Sequence, residues 1–145
     1  MEQKTYQLLY VSRGCDELSY SELDHILTSA RICNAQNDIT GMLIYREEFF
    51  VQLLEGSFEH VKETMSRIIK DKRHTNLRVL FEGEVEARVF PHFPMAFIDF
   101  DLRTENNQYL HKLFSDAMLF GVSSTQDILN FLKGLSQSPE FVKTN

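Results

Sequence analysis

The chain reads as an α+β protein: a ferredoxin-like βαββαβ sandwich with an additional strand and two C-terminal helices covering the other sheet face. Three observations predict this. Over residues 1–100 the periodic segments follow the order strand, helix, strand, strand, helix, strand, the split βαβ arrangement. Two extended runs, Ile39–Tyr45 and Phe49–Leu54, are separated only by Arg46-Glu47-Glu48, short enough for an antiparallel hairpin. Residues 101–145 then change to helical spacing and can cover the face that the first two helices leave bare. At 145 residues the chain can hold one sizeable core but not two ordinary domains, so 1–100 is expected as a core and 101–145 as its helical cap within one compact unit.

Each element has its own signal. Tyr6 to Ser12 is a buried first strand. Ser19 with Glu22 forms a capping box, and Leu18 with Leu23 occupies the staple positions around it. The first helix carries Leu23, Ile26, Leu27 and Ala30 at helical spacing and is expected to end near Cys33 or Asn34. After the hairpin, Ser57 can cap a second helix with a stripe of Phe58, Val61, Met65, Ile68 and Ile69. The charged run Lys70 to His74 marks its end. Asn76 to Glu82 alternates as a strand, Gly83-Glu84 reads as a turn or bulge, and Val85 to Asp99 is extended but interrupted at Pro91 and Pro94. Leu110, Leu113, Phe114 and Ala117 form one C-terminal stripe, and Ser124 with Asp127 opens another through Ile128, Leu129, Leu132 and Leu135.

Composition narrows the function classes. Twenty-one acidic residues against 15 Lys and Arg give a net charge of −6, which argues against direct nucleic-acid binding. Cys15 and Cys33 lack C-x-x-C spacing and disulfide density, as expected in a reducing compartment. No apolar signal region precedes the first strand and no run approaches a membrane span, so a cytoplasmic location is expected. The five histidines have no ligand spacing, and phosphate-loop, dinucleotide and hydrolase-elbow motifs are absent, so neither a metal nor an enzymatic activity is expected. Glu55 alone could act as a general base, but at a strand end it is expected to be solvated and it has no evident counterpart.

One polar residue breaks the apolar pattern. Gln52 sits inside Phe49-Phe50-Val51-Gln52-Leu53-Leu54, sharing a face with Phe50 and Leu54, and a buried amide must find partners or cost stability. Tyr10 and Asn34 could join it around a polar heterocycle. On the residues alone Tyr10 could equally be an ordinary core tyrosine, Asn34 a helix C-cap and Gln52 an edge-strand residue.

The ordered segments Leu9-Tyr10-x-Ser12, Ile26-Leu27-x-x-Ala30-Arg31-x-x-Asn34, Ile39-Thr40-Gly41-x-Leu43-x-Tyr45, Phe50-x-Gln52-x-Leu54-Glu55-Gly56, Arg67-Ile68-x-x-Asp71-x-Arg73-His74 and Phe90-x-x-Phe93-x-Met95 resemble the BLUF domains, blue-light sensors that use FAD. The resemblance spans Tyr6 to Phe97 and is closest to the short, stand-alone members. It implies an isoalloxazine sandwiched by Ile26 and Ile68, with Asn34 and Gln52 bonded to its polar edge and Tyr10 behind Gln52. Arg67, helped by Arg31 or Lys72, would meet the FAD phosphates, while Asp71 and His74 would fix the end of the second helix and line the rim. FMN or riboflavin would fit the same implied pocket. The implied activity is light-driven electron and proton transfer from Tyr10, leaving Gln52 reoriented or tautomerised and the spectrum slightly red-shifted.

Two positions depart from the pattern. Phe93 stands where many members have Trp, which removes a tryptophan switch while Met95 retains the other residue of that segment. Cys33 stands where close short members often have another Asn. The implied output runs through Phe90–Phe97 and the C-terminal helices around Leu113, Phe114 and Leu132 to a downstream signalling protein, with a homo-oligomer as the resting form and neither membrane nor nucleic acid as partner. The competing reading is a non-photochemical ferredoxin-like protein-binding module, since fold alone does not decide function.

Overall fold

In the computed structural model the described residues are 4–14, 19–46, 49–99, 112, 115–117 and 125–137. Their elements are β1 (Thr5–Gly14), α1 (Tyr20–Gln36), β2 (Thr40–Arg46), β3 (Phe49–Gly56), α2 (Phe58–Ile69), β4 (His74–Val85), β5 (Ala96–Asp99) and α3 (Thr125–Ser136). The strands form one sheet in the order β4-β1-β3-β2-β5. The first four pair antiparallel and β5 joins the β2 edge in parallel, which is the ferredoxin-like arrangement with its additional strand.

Period-2 alternation divides the strands between two cores. Leu8, Tyr10, Phe50 and Leu54 pack with Leu23 and Leu27 of α1 and Val61 and Met65 of α2. Leu9, Val11, Phe49, Val51 and Leu53 face the other way and pack with Ala117 and with Ile128, Leu129 and Leu132 of α3. The C-terminal helical region therefore covers the second face, as the sequence predicts. Leu18, Leu110, Leu113, Phe114 and Ser124, on which other parts of that prediction fall, lie outside the described residues.

Local chemistry sets the boundaries. The Ser19–Glu22 capping box is formed, with the Glu22 N–H donating to Ser19 Oγ at 3.1 Å. The C-cap of α1 is Asn37, whose N–H reaches back to the Cys33 and Asn34 carbonyls. Asn34 thus lies in the helix body rather than at its cap. Helix α2 buries Val61, Thr64 and Met65, whereas Phe58 and Ile69 at its two ends are 56% and 61% exposed. The buried stripe is narrower than apolar spacing indicates, with Phe58 meeting the sheet only edge-on at Tyr6.

Strand β4 runs without a turn through Gly83, which pairs with Gln7 across the ladder, and the irregularity expected there appears instead as register shifts near Leu9/Tyr10 and Val11/Arg13. Among the described residues, regular pairing in this segment begins only after the two prolines, at Ala96–Asp99. Gly41 in β2 is sterically required: a Cβ there would lie 1.9 Å from the Leu53 carbonyl oxygen. Among the described residues no helix is long and apolar enough to cross a membrane.

Candidate functional site

Between α1, α2 and the sheet lies a cavity of about 320 Å³, lined by Tyr10, Ile26, Ser29, Ala30, Cys33, Asn34, Leu43, Phe50, Gln52, Thr64, Arg67, Ile68, Asp71, Arg73 and His74. Its volume falls in the range of small-molecule sites. On α1, Leu23 and Leu27 enter the core while Ile26 and Ala30, on the adjoining strip of the helix, are half-buried at the cavity wall.

Gln52 forms the floor. It lies on the central strand β3, directly opposite Tyr10 of β1 and Leu43 of β2. The Tyr10 hydroxyl donates to Gln52 Oε1, and Gln52 Nε2 donates to the Met95 sulfur at 3.5 Å. Tyr10 is almost fully buried. Burial, reinforced by the charge of Asp71, pushes its phenol well above the usual tyrosine range, so it stays protonated and keeps donating.

Asn34, 2% exposed, donates through Nδ2 to the Pro94 carbonyl at 2.8 Å. This bond fixes the amide's orientation and leaves Oδ1 and the second N–H available to a ligand. Gln52 likewise keeps one N–H beyond its bonds to Tyr10 and Met95. Two buried amides with spare donors and an acceptor, walled by Ile26 and Ile68, suit the edge of a heterocycle carrying both donors and acceptors, and in that sense the site fits a flavin ring.

The rim is polar. His74 Nε2 lies 2.7 Å from the Ile68 carbonyl and Nδ1 lies 2.7 Å from Ser12 Oγ. A carbonyl only accepts, so Nε2 carries a proton. Arg73 grips Asp71 through Nε at 2.9 Å and Nη2 at 2.6 Å. That hydrogen bonding and charge hold the Asp71 carboxyl below its ordinary range. Arg67 reaches Glu63 at 3.3 Å and Thr64 Oγ1 at 3.4 Å.

The geometry brings together Tyr10, Ile26, Asn34, Gln52, Arg67, Ile68, Asp71 and His74. Met95 meets them through its sulfur. Arg31 is placed differently: it is not among the cavity-lining residues, and its Nε donates to the Met95 carbonyl at 3.0 Å. Thr64 and Ser29 line the cavity without having been singled out from sequence, and Arg73, quoted there in the motif but given no role, lines it too. For Ser29 the signal was available, since Ile26, Ser29, Ala30 and Cys33 recur at i, i+3, i+4 and i+7.

Glu55 is not solvated. It is fully buried on the opposite sheet face and accepts from Gln7 Nε2 at 2.9 Å and from the Val89 and Phe90 N–H groups at 2.7 and 2.9 Å. It therefore anchors the chain entering the β5 region. Phe93 also packs toward that opposite core, while Met95 packs in the cavity-side core.

Residues 5–96 match the family model described as BLUF, sensors of blue-light using FAD. The chain is 33% identical over 107 residues to the blue light- and temperature-regulated antirepressor BluF of Escherichia coli, covering 74% of this chain and 26% of that protein. It is 36% identical over 84 residues to photoactivated adenylate cyclase subunit beta of Euglena gracilis, covering 58% of this chain and 10% of the cyclase subunit. It thus spans only a minor part of either relative. The solved structure of BlsA in its ground state superposes with a TM-score of 0.73 at 28% identity, covering 89% of this chain and 87% of that one. A cavity floored by a tyrosine–glutamine–methionine chain, in a fold and sequence shared with these light-responsive proteins, leads to one assignment: the chain belongs to the BLUF family, sensors of blue-light using FAD.

Proposed function

We propose that the cavity binds FAD and that Tyr10, Gln52 and Met95 convert its excitation into a rearranged hydrogen-bond chain. The observation that carries this reading is the continuous sequence of bonds from the Tyr10 hydroxyl through both ends of the Gln52 amide to the Met95 sulfur. Ile26 and Ile68 would sandwich the ring, and Asn34 and Gln52 would bond its polar edge. Arg67 would meet the phosphates, with Asp71 and His74 holding the rim; Arg73, which also faces the cavity, joins Arg67 as a candidate.

When bound and excited by blue light, a flavin would supply a one-electron oxidant to the cavity that Tyr10 lines. Tyr10 would give an electron to that oxidant while its proton passes along the existing bond to Gln52 Oε1. Return of electron and proton to Tyr10 would let Gln52 settle with its amide turned over. Turning exchanges the ends: Nε2 then faces Tyr10 and Oε1 faces the Met95 sulfur. Both the oxygen and the sulfur are acceptors, so the amide–sulfur bond is lost.

That loss is the event we assign as the signal. It reaches Met95 and the adjoining β5, and from there a downstream signalling protein whose affinity differs between the two states. The test is direct: FAD-loaded protein should show a visible flavin band that moves slightly to the red under blue light and returns in darkness. A protein that cannot be reconstituted with FAD, or whose band does not move, would overturn the reading.

A further inference from the structure

We propose that Arg31 is a positioning residue for the photocycle: by holding the Met95 carbonyl it keeps the Met95 sulfur within reach of Gln52 and links that contact to helix α1. The inference rests on the reading above, in which Gln52 turns over in the light, and extends it to a residue outside the cavity.

Helix α1 places Arg31 and Asn34 three positions apart, on one side of the helix. They take successive carbonyls of the same segment, Arg31 Nε that of Met95 at 3.0 Å and Asn34 Nδ2 that of Pro94 at 2.8 Å. From the sheet side the Gly41 N–H donates to the Phe93 carbonyl at 3.1 Å. Residues 93–95 are therefore gripped between β2 and α1 before β5 begins. Met95 itself has two ties, one outside the cavity through its carbonyl and one inside through its sulfur.

A methionine side chain has three rotatable bonds, so its sulfur is held at one place only if its backbone is. With the carbonyl tied, the sulfur waits at the acceptor position to which Gln52 Nε2 must come back. Without the tie it spreads over several positions, and the return of Gln52 slows. Arg31 is an exposed residue, so its replacement removes the tie without opening the core.

The test compares FAD-loaded native protein with Arg31→Met, which keeps length but no donor, and Arg31→Lys, which keeps a donor in altered geometry. Dark recovery is followed after a blue pulse. Light-minus-dark infrared spectra are taken with methionine labelled by ¹³C at the carbonyl, and labelled Met95→Leu identifies the Met95 signal. In Arg31→Met we expect unchanged FAD content and red shift, recovery about fivefold slower, the order a single hydrogen bond carries, and loss of the Met95 carbonyl signal. Arg31→Lys should fall between the two. Native recovery with the carbonyl signal intact in Arg31→Met would overturn the proposal. So would loss of FAD from that variant, which would make Arg31 a cofactor ligand. A native protein without any red shift overturns the photocycle reading itself, an outcome visible before any variant is compared.

Discussion

Gln7 donates its amide to Glu55 at 2.9 Å directly across the β1–β3 ladder, three register positions from Tyr10 and Gln52. An odd offset in a strand reverses the face. The same two strands therefore carry one polar pair at the cavity floor and a second pair on the opposite face.

Glu55→Gln keeps the shape of this second pair but turns an NH₂ group toward donors that need an acceptor. Charge-assisted bonds are lost and a buried donor is left facing another, so stability should fall by about 3 kcal/mol. Urea unfolding with an unchanged slope measures it. A loss below about 0.5 kcal/mol, the level of an ordinary surface substitution, would show that the carboxylate does not anchor Val89 and Phe90.

Tyr10→Phe removes one oxygen and leaves the ring. FAD should still bind, but the light-induced red shift should vanish, because no phenol remains to supply electron and proton. Gln52 Oε1 loses its partner, which should cost about 1–3 kcal/mol. Absorbance under blue light and urea unfolding read the two effects separately, and an unaltered shift would remove Tyr10 from the donor role.

The Tyr6 phenol is pushed up to about 12, first by partial burial and then by its hydrogen bond to the Glu82 carboxylate. Its folded-state value lies above the ordinary 10. The stabilising contribution is therefore complete below about pH 10 and is lost as pH rises toward about 12. Unfolding measurements across that window should show a shallower alkaline decline in Tyr6→Phe than in the native chain; parallel curves would contradict the linkage.

Cys33 is a half-buried thiol in the cavity wall. In a Cys15→Ser background, a thiol-alkylating reagent should modify Cys33 in flavin-free protein and react at least tenfold more slowly once FAD is bound. The mass of the labelled peptide reports it. Equal rates would place the ring away from this part of α1.

Gly41→Ala should destabilise by about 3 kcal/mol or more. The added methyl would have to displace the Leu53 carbonyl, which is backbone of the central sheet and cannot rotate aside. Thermal unfolding of the variant, without and with FAD, measures the loss; a midpoint within a degree of native would show that β2 and β3 can part locally at no cost.

What local pattern encodes, the sequence shows well. Alternation assigned Phe50, Gln52 and Leu54 to one face, and a capping box placed the start of α1. The edge position considered for Gln52 could be settled only by strand order, which periodicity does not carry; the residue is on the central strand. Asn34 read as a helix end because Gln36, Asn37 and Asp38 follow as a polar run, although the helix continues to Gln36. Glu55 read as solvated because its donors at Val89 and Phe90 are 34 and 35 residues away. The phosphate role of Arg31 came from the resemblance alone, and its bond to the Met95 carbonyl, 64 residues on, is not legible in local pattern. For Glu55 and Arg31 the missing information is a long-range contact with irregular backbone; for Gln52 it is the order of the strands.

Among the described residues strand β5 spans Ala96–Asp99 and pairs with one strand, β2, to which it runs parallel. Few ladder bonds hold it, so the free energy needed to detach it lies far below that of opening β1 or β3. Amide hydrogens of Ala96 and Phe97 should exchange with solvent through a local opening long before those of Val51 or Leu53, which wait for global unfolding. A photon-triggered change of one weak amide–sulfur contact is small on the scale of the whole domain. It is large on the scale of this ribbon, which makes the element tethered to Met95 the cheapest part of the sheet to displace.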